Sequence, residues 1–366
     1  MTADRLDAIL LFAFVLPVIF RYKILPGEVT PYWLFGLLFA VLTINTALSF
    51  FRDGLKGFLK INYEKIRTVL TVSVVTAVIV GVMGGAIVDR GRIAPGQNFG
   101  VHDIILQLEA ALTKLSDGVN PYDTTYFGTP LEDWHYDELG KPAVNPALYH
   151  FVMPPFYLVS AFPLRFISIR LFGFFDGRMP LLLAAVGLIA VLVFYFRKPE
   201  LKRTAIIFTL LSPATIDFLI EGRSDMFALF FLVLSLYFLG KDRLIASVVV
   251  FALGMASKQT VWFALPAYIF LALHHTGYGK KFFVCTAVLT AVLAAVFFPF
   301  LAWNPGAFLD SVVFYLSGNT ARGYPVSDWE CCFTSSGCSV TSTSTIRFIS
   351  GSCWWRFRQS QRRMHI

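Results

Sequence analysis

Long apolar windows recur along this chain, at residues 32–51, 68–88, 179–196, 204–220, 226–239, 244–256, 261–273 and 282–303. A bilayer core is about 30 Å thick and a helix rises about 1.5 Å per residue, so about 20 apolar residues cross it. Several windows reach that length. They predict an all-α polytopic membrane protein, and a composition that is 56% hydrophobic and 15% charged agrees, being too apolar for an average soluble domain. An earlier window, 6–20, is short and ends at Arg21. Because LPVIFRYKILPG offers no small-residue cleavage site, that window reads as a signal anchor.

The net charge of +8 raises the question of nucleic acid, but the basic residues are scattered through short loops between windows. That distribution is a topology signal, so no nucleic-acid partner is expected. Four of the five cysteines fall at 331, 332, 338 and 353, without zinc-ligand or disulfide-framework spacing. His102, His135, His150, His274, His275 and His365 show no metal-ligand spacing either, so solvated loop histidines are the default and metal independence is expected.

Loop charge orients the chain. The segment RDGLKGFLKINYEKIR (52–67) is basic and belongs in the cytoplasm, so window 68–88 exits. Residues 89–148 carry nine acids against four Lys and Arg, which places this long insertion outside. RKPELKR (197–203) is again cytoplasmic, so only one of 149–166 and 179–196 crosses. YHFVMPPFYLVSAFPLRF holds Pro154, Pro155 and Pro163, which interrupt a helix, so 149–170 is read as non-spanning, at the outer interface or re-entering it. With this choice the external loop runs over 89–178, and Asp103, EGRSD (221–225) and SKQT (257–260) all meet the outer face.

Those outer residues each have a bland and a sharp reading. In VHDIILQLEAALTKL, Ile104, Ile105, Leu108, Ala111, Leu112 and Leu115 form one apolar stripe, with Asp103, Gln107 and Lys114 opposite. This predicts an interfacial helix lying on the membrane. Asp103 at its start either complements the helix dipole, for up to about 1 kcal/mol, or does chemistry. GVNPYD (118–123) predicts a helix stop and a turn. Ser224 suits an N-cap with Asp225 in the first turn, yet Glu221 and Asp225 also stand at i and i+4 beside Arg223, where ionisable groups near membrane depth are costly. Lys258 either snorkels to headgroups or binds a phosphate as a point charge.

Asp103 followed by NPYD, VNPALYHFVMPPFYLVSAFPL (144–164), EGRSDMFALFFLVLSLYFL (221–239) and GMASKQTVWFALP (254–266) together resemble the GT-C superfamily of membrane glycosyltransferases that use polyprenyl-phosphate sugars, most of all the branch with the phosphatidylinositol-mannoside mannosyltransferases. The resemblance covers roughly residues 68 to 325 and implies a GT-C-like helix bundle with a large first external loop. It implies Asp103 as general base on the acceptor hydroxyl, and Glu221 or Asp225 as a second acidic site residue. Arg223, Lys258, Gln259, Asn120, Tyr122 and His150 become candidate substrate-binding residues. The implied partners are a polyprenyl-phosphate donor of a mannose-like hexose, a lipid or glycan acceptor, and membrane lipids. The implied place is the plasma membrane. The chain departs from the family pattern in having two spans before the one that leads into the large loop.

The domain so read is 1–330. After Glu330 the chain turns to Ser, Thr, Cys and Arg without Lys, Asp or Glu, so 331–366 is an atypical tail, read as a frameshift product or disordered. A polytopic transporter or lipid flippase is the competing function, since paired carboxylates and a lysine near membrane depth suit ion or substrate sites. A transporter does not need a 60-residue acidic insertion.

Overall fold

The apolar windows become helices, and most boundaries lie within a few residues of the sequence reading. The computed structural model describes residues 3–22, 32–134, 136–138, 141–277 and 279–320, all within the compact unit Met1–Tyr324. The 331–366 tail, His135 and His365 lie outside the described residues. Helices α1 (Ala3–Tyr22) and α2 (Tyr32–Phe50) lead through a short α3 (Gly57–Ile61) to α4 (Tyr63–Ile93), which runs for 31 residues. Then follow α5 (Asp103–Ser116), a hairpin of β1 (Tyr136–Glu138) and β2 (Lys141–Ala143), and α6 (Pro155–Phe172). The hairpin is antiparallel, with Tyr136 opposite Ala143. The remaining helices are α7 (Met179–Tyr195), α8 (Pro199–Leu211), α9 (Pro213–Glu221), α10 (Asp225–Leu239), α11 (Leu244–Met255), α12 (Leu265–Thr276), α13 (Lys280–Trp303) and α14 (Pro305–Leu309).

α4 packs against α1, α2, α7 and α8, while α10 joins α7 to α11 and α11 meets α13. Among the described residues, α4, α6 and α13 are long and apolar enough to cross a membrane, and the pair α8 and α9 makes a fourth. The exposed side chains of α13, Phe283, Val284 and Phe298 among them, suit a lipid-facing helix.

Four expectations are corrected. Window 204–220 is not one straight helix: Pro213 starts α9 after Ser212, and the two halves bend by 50°. Window 261–273 opens as a 3-10 turn, Gln259–Ala264, and becomes α-helical only at Leu265. The prolines of 149–166 do not interrupt the helix either. Pro155 sits at N1, where its missing N–H costs nothing, and Pro163 is carried inside an unbroken 18-residue α6. At the start of α6 Tyr157 Oη donates to the Gly177 carbonyl at 3.3 Å, and just past its end the Phe174 ring lies against Gly91 of α4.

The fourth correction concerns α5. Of its stripe, Ile105, Leu108, Ala111 and Leu112 are buried in protein and Ile104 and Leu115 half-buried against the same core, rather than laid on lipid. Gln107, expected on the polar face, is buried too, because loop residues Ala147 and His150 cover that side with carbonyls that accept from its amide at 2.6 Å. A helix covered on both faces is a core element, whatever its amphipathic pattern suggests.

Two charges counted as loop residues are also interior. Arg67 and Arg203 have no exposed surface, and each donates to Asp7 of α1, Arg203 at 2.6 Å. Arg203 also donates to Glu64 at 2.7 Å. Buried charges require partners, so this cluster ties α1, α4 and α8 together, about 35 Å along α4 from Arg90.

Candidate functional site

The Arg90 end of α4 gathers the polar motifs. Chain direction changes at Gly222, whose φ of +90° caps α9 in the left-handed region. A Cβ there would sit 2.4 Å from Ile105 Cγ1, so only glycine lets the EGRSD turn lie against the start of α5. The His102 N–H donates to the Glu221 carbonyl at 2.7 Å and fixes that contact. Asp103 is thereby set beside the turn.

Asp103 occupies the first position of α5 and is 7% exposed. Its Oδ1 lies 2.5 Å from His102 Nδ1, and its Oδ2 accepts from Asn145 Nδ2 at 3.1 Å. Burial pushes the carboxyl up. Hydrogen bonds from His102 and Asn145, the charge His102 carries when protonated, and the Ile104 N–H outweigh burial and hold Asp103 below the usual carboxylate range. It is an ionised carboxylate at a helix N-terminus.

The segment 151–156 is where the other motifs meet. Tyr122 Oη donates to the Met153 carbonyl at 2.8 Å, and Gln259 Nε2 to the Val152 carbonyl at 2.7 Å. The Phe156 N–H donates to the Ala256 carbonyl at 2.9 Å, and the Ser224 hydroxyl meets Met153 Sδ at 3.8 Å. Of the candidate binding residues, Tyr122 and Gln259 thus have their hydroxyl and amide nitrogen committed to backbone carbonyls. Tyr122 is buried against Phe151, Phe300 and Phe308. Asn120 makes the predicted turn, its Oδ1 accepting from the Tyr122 N–H at 3.0 Å, while its buried Nδ2 has no partner. His150 is half-buried beside the Tyr315 ring, and burial lowers its pKa against the opposing charge of Asp310.

Glu221 and Asp225 do not form one helical face, because the break at Gly222 separates them. Each takes its own cation instead: Arg223 Nε meets Glu221 Oε2 at 2.9 Å, and Lys258 Nζ meets Asp225 Oδ1 at 2.7 Å. Arg223 also stacks on Phe218, 4.3 Å from the ring centre. Ser224 holds the N-cap position of α10, but its side chain makes no capping bond. A cleft of about 310 Å³ opens beside this turn, lined by Thr209, Phe218, Leu219, Arg223, Asp225 and Leu232 among others.

Beneath the site lies a buried ion network that sequence reasoning missed. Arg90 grips both oxygens of Glu109 at 2.7 Å and donates to Asp176 at 3.0 Å. Arg178 takes the other side of Asp176 and also bonds the carbonyls of Ile220 and Ala86, each at 2.8 Å. Burial and the Asp176 charge push Glu109 up against the pull of Arg90, whereas Asp176, buried but clasped by Arg178, is held low. Arg90 and Glu109 looked like topology charges in a loop. Asn145 and His102 were equally unmarked, and their only signal was a polar residue beside an apolar run.

Among the described residues no three His, Cys, Asp or Glu side chains cluster as metal ligands. Compared with family models, with curated proteins and with solved structures, the chain matches none.

Proposed function

We propose that this chain is an integral-membrane glycosyltransferase that moves a mannose-like hexose from a polyprenyl-phosphate sugar to a hydroxyl of a lipid or glycan, at the external face of the plasma membrane. One observation carries the reading. A carboxylate held ionised at a helix N-terminus, Asp103, shares one end of the bundle with two cation-bearing turns, EGRSD and SKQT. Transfer from a phosphate leaving group needs negative charge to draw off the acceptor's proton and positive charge to meet the departing phosphate. Asp103 supplies the first, Lys258 and Arg223 the second. The cleft beside Arg223 gives a sugar phosphate room next to those cations.

The test is transfer by the full chain in membranes, with polyprenyl-phosphate mannose as donor. Asp103→Asn keeps the shape and removes the charge, so turnover should fall by roughly 10²–10⁴ with folded yield retained. Near-normal transfer by the folded variant sinks the role of Asp103. Movement of the donor across the bilayer without a glycosylated product would replace this reading with the transporter.

A further inference from the structure

Asp103 has both oxygens occupied, Oδ1 by His102 and Oδ2 by Asn145. Its side chain is 9% exposed while that of His102 is 28% exposed. An acceptor hydroxyl arriving from solvent or lipid therefore meets the imidazole before it meets the carboxylate. The residue is held on several sides: its backbone N–H donates to the Glu221 carbonyl at 2.7 Å, its ring Nδ1 meets Asp103, and the Trp134 ring lies 5.6 Å from its own. A nitrogen 2.5 Å from an ionised carboxylate oxygen carries the proton between them, so in the neutral imidazole the lone pair is left on Nε2. The Ile104 N–H lies 3.4 Å from Nδ1 and donates to it only when Nδ1 is unprotonated; with the proton on Nδ1 that N–H is left to the Asp103 carboxylate, which it also bonds. Nε2 has no hydrogen-bond partner among the described residues.

Resting on the glycosyltransferase reading, we propose that the proton acceptor of the transfer is Nε2 of His102, and that Asp103 is the positioning carboxylate that sets the imidazole tautomer and stabilises the imidazolium. As the acceptor oxygen bonds to the anomeric carbon, its proton passes to Nε2. The bond from that carbon to the phosphate oxygen breaks, and its electron pair leaves with the polyprenyl phosphate. His102 is left as an imidazolium facing Asp103 and returns the proton to water before the next turnover. A buried carboxylate orienting a more exposed histidine is the arrangement by which hydrolases activate a hydroxyl.

The test compares wild type, His102→Asn and Asp103→Asn in the full chain. An Asn amide nitrogen takes the place of Nδ1 and can still donate to Asp103, but nothing replaces Nε2. The expected result is a loss of transfer by His102→Asn of roughly 10²–10⁴, similar to that of Asp103→Asn, with folded yield retained. Transfer by His102→Asn within a few-fold of wild type, with Asp103→Asn inactive, overturns the proposal and makes the carboxylate itself the base. The second measurement is independent of sugar transfer: the rate of His102 modification by diethyl pyrocarbonate. Measured at about pH 8.5, well above the ordinary imidazole range, it should be several-fold faster in wild type than in Asp103→Asn. Equal rates overturn the pair whatever the transfer result. A wild-type chain that transfers no sugar yet shows the rate difference sinks the glycosyltransferase reading and keeps the oriented histidine.

Discussion

Lys258 Nζ lies 2.7 Å from Asp225 Oδ1 and bridges the SKQT turn and the first residue of α10, 33 positions apart. The two ends of the bridge differ. The Asp225 side chain is 54% exposed and that of Lys258 18%, so the ammonium is held from below and its carboxylate partner is open to solvent.

An ion pair this open contributes little to folding, at most about 1 kcal/mol. Lys258→Gln should therefore leave the unfolding midpoint nearly unchanged while lowering transfer from a polyprenyl-phosphate sugar at least tenfold. Parallel losses of folded protein and transfer would assign the lysine to stability alone.

The Arg90–Glu109 pair behaves oppositely, because Arg90 is buried beneath the site and the Glu109 side chain is only 13% exposed. Removing one partner strands the other's charge in a low-dielectric interior, which costs about 3–5 kcal/mol. Glu109→Gln should lower the unfolding midpoint of the detergent-purified chain far more than Lys258→Gln does. A midpoint equal to wild type would show that Asp176 alone satisfies Arg90.

Asp103 makes stability depend on acid. A carboxyl held below its ordinary value of 3.8 stabilises the fold fully above that pH, and the contribution fades as the pH drops through the lower folded value. Between pH 6 and pH 3, wild type should lose more stability than Asp103→Asn. The two should converge at the acid end. Identical acid dependence would mean that the His102 and Asn145 contacts do not favour the ionised form.

Charge asymmetry between 52–67 and 89–148 sets the orientation on which the site's placement rests. Single cysteines at Asp117 and Asn62, in a background where the native cysteines are serine, should label from opposite sides of the membrane, with 117 external. Labelling from one side would undo the external site.

Helix content was legible in the sequence because it follows from local terms. Apolar length located α4, α7, α10, α11 and α13, the 3.6-residue stripe located α5, and Asn-Pro after Gly118 located its stop. Which loops carry the charged motifs was legible too, since loop charge is a property of composition.

What the tertiary structure alone decided is which of those residues meet. Asp7 and Arg203 are 196 positions apart, and His102 finds Glu221 only because α9 ends on a left-handed glycine that admits Ile105. Pattern assigned Gln107 to a polar face and loop charge counted Arg90 outside, and the fold buried both, since periodicity separates apolar from polar positions but does not say whether a polar face will be covered. The same blindness hid the His102–Asp103 pairing: two neighbours in sequence face each other only where the first is a cap in extended backbone and the second begins a helix. Local propensity is a sum over adjacent residues, and a site is made by contacts between distant ones.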